Sequence, residues 1–142
     1  MKDVKFFSSL GVYDDKYAPF YDNFIFFLKK LKLKKHHELL RLEGCPSGDY
    51  NSHNFNKICH LRTEVGRDYL KEGKIIFHSD LDIVFLRNPL PYLLRLLKDY
   101  DIIFQADGQR VCGGFYMARP SKSAIDFFDI RTVSTSGTGP QN

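Results

Sequence analysis

Along this chain, short apolar runs alternate with stretches in which apolar residues recur at every third or fourth position. "VKFFSSLG" at 4–11 reads as a short strand ending in a Ser/Gly turn. After "YDDKYAP", Tyr17, Phe20, Tyr21, Phe24, Leu28 and Leu31 fall mostly at three- and four-residue steps, which is helical spacing. "HELLRLEG" at 37–44 is a second strand, followed by the turn-rich loop "CPSGDYNSHN". A second helix is expected from about Phe55, with Phe55, Ile58, Leu61, Val65 and Tyr69 on one face and Gly73 closing it. "KIIFHSDLDIVFL" at 74–86 is the strongest strand. A Pro-started helix in "NPLPYLLRLLKDY", strands in "DIIFQAD" and "GGFYMAR", and a short helix in "SKSAIDFFDI" complete the pattern, the last capped by Ser121 or Ser123. Strands alternating with helices predict an α/β fold with a mostly parallel central sheet flanked by helices. The division expected is one domain over 1–130 and a disordered tail over 131–142, where apolar residues are nearly absent.

A length of 142 residues suits one domain with a sizeable core. The net charge of +4 is mild and sits largely in "KKLKLKKHH" at 29–37, where lysines suit the end of a helix. That is the profile of a solvated helix end, so no nucleic-acid partner is expected. No apolar run approaches the roughly 20 residues of a membrane span, and the polar start does not read as a signal peptide. Cys45, Cys59 and Cys112 lack CxxC spacing, which suggests a reducing compartment and no zinc site. A cytoplasmic protein is the expectation.

The candidate chemistry lies in "HSDLDIVFLR", where Asp80 and Asp82 interrupt the strongest apolar run. In an extended segment, residues two apart face the same way at about 6.6 Å. Two carboxylates at that spacing can close on one hard cation, and an all-oxygen set favours Mg²⁺, Mn²⁺ or Ca²⁺ over zinc. Ligands of open α/β sheets collect at the carboxyl ends of the strands, and the acids lie where "KIIF" ends. Ser9 in "SSLG" falls at the end of the first strand, on the same rim. Gln105 and Asp107 close another strand, and Gly113–Gly114 allow a backbone to pass near a ligand. The alternative is a turn cap by one acid and an ion pair of the other with Arg87 or Arg62.

The order "GKIIFHSDLDIVFLRNPLPYL…DYDIIFQADG…CGGFYMARPS" resembles the DxD-containing nucleotide-diphospho-sugar transferases, glycosyltransferases of GT-A fold. The resemblance runs from about residue 4 to 130 and is densest from 74 to 120. It implies a Rossmann-like nucleotide-sugar-binding domain, with a sugar passed from a nucleotide-diphosphate donor to a glycan or protein acceptor. It further implies that Asp82 is the more direct ligand of a Mn²⁺ (or Mg²⁺) set against the donor diphosphate, with Asp80 serving the metal or the ribose. Arg62 would steady the acids or the diphosphate, and Ser79, Leu81 and Ser9 would line the nucleotide sugar. Gln105, Asp107 and a Gly113–Gly114–Phe115 turn would face the sugar and acceptor, with Cys112 standing where the family often has Asn or Asp. No acceptor-binding portion is legible after residue 120, so the chain reads as the donor-binding half, truncated at its C-terminus.

Two alternatives fit part of this pattern. One is a nucleotide-sugar binding module without transfer. The other is a haloacid dehalogenase-like phosphatase, with Asp80 as nucleophile, Asp82 as acid/base and Val84 in the following slot. The second needs a Ser or Thr ending the next strand and a further acid pair, whereas the next strand ends in "FQAD".

Overall fold

The computed structural model describes residues 3–11, 17–42 and 53–129. The predicted tail at 131–142 and most of the loop at 45–54 lie outside the described residues. The elements are β1 (Val4–Gly11), α1 (Ala18–Lys30), a 3₁₀ turn (Lys34–His36), β2 (His37–Leu42), α2 (His53–Lys71), β3 (Ile75–Ser79), α3 (Leu90–Leu96), β4 (Ile102–Asp107), β5 (Arg110–Ala118) and α4 (Lys122–Phe127). The described residues form one five-stranded sheet in the order β2-β1-β3-β5-β4.

The first three strands are parallel, with Phe6 opposite both His37 of β2 and Phe77 of β3. β5 runs antiparallel to both β3 and β4, so it alone opposes the common direction. The fold is therefore mixed α/β, and the expectation of a mostly parallel sheet needs one correction. "DIIFQADGQRVCGGFYMAR" is a hairpin, closed by the two-residue loop Gly108–Gln109 between paired Asp107 and Arg110. Gly108 has φ +60 and Gln109 is not in the left-handed region. A glycine at the first loop position with that sign is what a type II′ turn requires. The Asp-Gly pair was the available signal.

Side chains alternate across the sheet. Phe6, Phe77 and Met117 face α1 and α3, where they meet Phe24, Leu28, Leu90, Leu93 and Leu97. Their neighbours Phe7, Ile76 and Tyr116 face α2 and α4, where they meet Leu70, Ala124 and Phe128. β3 is covered on both faces, which is why Ile75, Ile76 and Phe77 follow one another without polar alternation and even His78 and Ser79 are buried. At the last helix the capping residue is Ser121, whose Oγ accepts from the Ala124 N–H at 3.1 Å. On α1 the buried stripe is Phe24, Ile25 and Leu28, and Phe20 is largely exposed. Among the described residues, no helix is long and apolar enough to cross a membrane.

Three predicted boundaries shift. β3 stops at Ser79 instead of running to Leu86, and 80–89 is turn and irregular chain. "SSLG" is the end of β1 and not a turn. Gly113 and Gly114 lie within β5 and form no turn.

A buried hydrogen-bond chain ties the parallel strands together. The Ser8 hydroxyl donates to the Ser79 carbonyl at 2.5 Å and meets His37 Nε2 at 2.9 Å. With the serine proton on Ser79, the imidazole must donate, so Nε2 carries the hydrogen. Burial, aided by Lys34, lowers the His37 pKa from 6.5 to about 4. A depressed histidine contributes stability that is complete above pH 6.5 and is lost as pH falls toward 4. The loss is on the order of 3 kcal/mol for a shift of this size. Thermal melts between pH 7 and 4 are expected to show this acid-side decline, and it should be shallower in His37→Phe. An unchanged slope in that variant would contradict the assignment.

Candidate functional site

β3 delivers its last residues to the carboxyl rim. Ser79 pairs with Phe115 of β5, and the next residue, Asp80, donates its N–H to the Gly114 carbonyl at 2.7 Å. Chain direction then changes. Leu81 turns into the core at 7% exposure, and Asp82 stands exposed in the turn. The two acids are thus not neighbours on an extended strand, as their spacing had suggested. They flank an inward leucine that anchors the turn.

Asp80 is the better-held acid. Arg62 of α2 donates from Nη1 to its Oδ1 at 3.2 Å, and the same guanidinium reaches Cys59 Sγ from Nη2 at 3.7 Å. Burial pushes the Asp80 carboxyl above the usual range. Arg62 opposes that shift, and the charge of Asp82 adds to it. The repulsion between the acids is therefore felt at Asp80. The Arg62 ion pair anticipated by the plainer reading of the motif is present. It does not exhaust the carboxylate, since the side chain keeps 44% of its surface exposed.

Below Asp80 lies His78, which is fully buried. Its ring stacks on Tyr116 at 5.1 Å and meets Phe7 edge-on at 5.3 Å. Neither ring nitrogen has a hydrogen-bond partner among the described residues, and Nε2 lies 3.9 Å from Asp80 Oδ1. Burial holds the His78 pKa well below its ordinary value, so the ring is neutral. Burial also pushes the Tyr116 hydroxyl up to about 12. Strand alternation places Ser9, His78, Asp80 and Tyr116 on the α2 side of the sheet. The Ser9 hydroxyl is buried there without a hydrogen-bond partner among the described residues. The sequence reading missed His78 and Tyr116. The signal was the two-residue step from His78 to Asp80, which the apolar frame of the strand obscured.

The other candidates fall in different places. The Ser79 side chain is buried and donates to the Asp80 carbonyl at 2.9 Å. Leu81 belongs to the core on the α1 side. Neither side chain lines open space, so any nucleotide contact at these two positions would come from backbone. The hairpin overhangs the end of β3, and Gln105 sits opposite Cys112 just past a bulge at Phe104/Gln105. Asp107 pairs with Arg110 near the hairpin tip. Asp107 is thus placed by the hairpin tip, whereas Asp80 is fastened at Gly114, further along β5. Gln105 instead lines an apolar cleft of about 550 Å³ between the 83–89 segment, α3 and β4, with Tyr92, Phe104 and Phe115.

Among the described residues, no three His, Cys, Asp or Glu side chains gather as a metal cluster. The donor set is two carboxylates on an exposed rim. That fits a hard cation which completes its coordination with water and substrate phosphates, and it does not fit an all-protein cage.

A mixed α/β sheet with two acids and an arginine at its carboxyl rim has its polar residues where open α/β sheets take their ligands. More specifically, the chain belongs to the nucleotide-diphospho-sugar transferase family, whose model matches residues 31–136. It is also 30% identical over 87 residues to a UDP-galactose:fucoside alpha-3-galactosyltransferase of Dictyostelium discoideum. That match takes in 55% of this chain and 13% of the relative, so the chain spans a small part of that protein's length. No solved structure matches. Family membership removes the dehalogenase-like phosphatase as a reading of the acid pair.

Proposed function

We propose that this chain binds the diphosphate of a sugar nucleotide through a divalent cation, Mn²⁺ or Mg²⁺, held by Asp80 and Asp82. On this reading the fold is a Rossmann-like GT-A domain, and its role is glycosyl transfer to a glycan or protein acceptor. The supporting observation is the posture of Asp80, which leaves β3 at the carboxyl rim with Arg62 on one oxygen and much of its carboxylate open. The bound cation would supply charge stabilisation to the departing diphosphate. Arg62 orients Asp80 and adds positive charge beside it. The Ser8–Ser79 hydrogen bond and buried Leu81 fix the turn from which both acids project. The cleft that begins at Ile83 and takes in Gln105 would offer the sugar an apolar wall on that side.

UDP-galactose is the first donor to test, because the Dictyostelium relative is named for it. The expected result is Mn²⁺-dependent release of UDP that stops on adding EDTA and is restored by excess Mn²⁺. Binding without turnover would assign the chain the role of a sugar-nucleotide binding module. Absence of Mn²⁺-dependent binding across UDP- and GDP-sugars would overturn the proposal.

A further inference from the structure

Among the glycines, Gly114 is crowded in an unusual way. A Cβ built on it would stand 2.3 Å from Asp80 Oδ2 and 2.9 Å from Asp80 Cγ. The adjacent Gly113 has nothing within 4 Å of the same construction. Gly114 does not have a positive φ, so backbone conformation is no reason for glycine there. What occupies the space of the missing side chain is the carboxylate itself. The two residues are also fastened back to back, through the Asp80 N–H on the Gly114 carbonyl at 2.7 Å. Arg62 draws the other carboxylate oxygen toward α2 at 3.2 Å. The carboxylate is therefore defined from two sides, by an ion pair at Oδ1 and by a bare stretch of β5 at Oδ2.

We propose that Gly114 is the positioning residue for the Asp80 carboxylate, setting its orientation toward the cation and diphosphate, and is not a contact to the sugar or acceptor. The inference rests on the metal reading above. A methyl group at 114 would press on the Asp80 carboxyl group and meet no backbone, with Cys112 Sγ in ordinary contact at 3.5 Å. The fold tolerates it, and Asp80 is forced to swing away from its seat. The cost therefore falls on the site more than on stability. Gly114 thus acts on the nucleotide site from β5, although the sequence pattern assigned it to the sugar side.

The test combines Gly114→Ala and Asp80→Ala, singly and together. Melting temperature is measured in EDTA, and affinity for UDP is measured by calorimetry with Mn²⁺. With Asp80 intact, Gly114→Ala is expected to lower the melting temperature slightly. In the Asp80→Ala background the clash is gone. There the same change should raise it by roughly 2 °C, the usual effect of Gly→Ala at a permitted conformation. Mn²⁺-dependent affinity for UDP should fall by about 10-fold or more in Gly114→Ala, the scale seen when a residue supporting a metal ligand is lost. Equal shifts in melting temperature in both backgrounds would overturn the proposal. So would an affinity loss seen with UDP-sugar but not with UDP, which would put Gly114 against the sugar. A wild-type chain that takes no Mn²⁺ and UDP would overturn the metal reading and this role together. A binding wild type beside an equally binding Gly114→Ala would overturn the role of Gly114 alone.

Discussion

Asp82→Ala is expected to abolish Mn²⁺-dependent binding of a sugar nucleotide, by roughly 100-fold or more, while the chain stays folded. The loss exceeds what removal of a merely supporting residue costs, because one of two protein ligands is gone. Asp80→Ala should lose binding to a similar degree, yet the two variants should part in their metal-free stability. Asp82 is exposed, and its charge raises the pKa of Asp80, so deleting it relieves repulsion. A rise of a fraction of a kcal/mol is expected in EDTA. Asp80 instead holds the guanidinium of Arg62, whose side chain is only 16% exposed. Deleting it strands that charge, and the melting temperature should fall by the equivalent of about 1 kcal/mol. Calorimetry with Mn²⁺ and UDP checks the first statement, and melts in EDTA check the second. Unchanged affinity in Asp82→Ala would refute the metal assignment. A stability loss in that variant would show that Asp82 serves a structural contact.

Phe77→Ala is expected to destabilise the fold by about 3–5 kcal/mol, among the largest costs of any single substitution in this chain. Phe77 is fully buried at the centre of the sheet. It stacks on Phe6 at 4.4 Å and meets Phe115 edge-on at 5.3 Å and Phe85 at 6.2 Å. Truncation leaves a cavity that β1, β5 and the 83–89 segment cannot all close, since each is tied to its neighbours by sheet pairing or core packing. Domains of this size are stable by only about 5–15 kcal/mol, so the midpoint should drop by roughly 10 °C or more. Urea unfolding of Phe77→Ala beside Phe77→Leu measures the effect, with the leucine variant recovering much of the loss. A cost below about 1 kcal/mol would mean that the aromatic cluster is looser than its geometry indicates.

Local sequence went a long way here. Three- and four-residue spacing marked α1 and α2, Pro89 and Pro91 marked the start of α3, and the serines at 121 and 123 marked the start of α4, which the structure caps with Ser121. These are properties of a few neighbouring residues, and the backbone obeys them wherever the helix is later packed. Apolar runs likewise marked β1 and β3, because a strand covered on both faces has few polar positions to spare. The family was legible for a related reason, since the order of short motifs from 74 to 120 is carried by the sequence itself.

Pairing between distant segments was the part that only the tertiary structure decided. Nothing local states that β5 inserts between β3 and β4, reverses the sheet direction and brings Gly114 against Asp80. Nor does local pattern end β3 at Ser79, since "IVFL" is as apolar as "KIIF". The strand ends there because its ladders with β1 and β5 stop at His78 and Ser79, which is long-range pairing. His78 was hidden by the same limit. Its place on the face shared with Tyr116, Arg62 and Asp80 follows from strand register and helix packing, and register is fixed by the whole buried face. The sequence alone determined that two acids stand two apart after the apolar run of β3. Only the packed sheet decided that one acid is seated by an arginine and a glycine while the other stands in solvent.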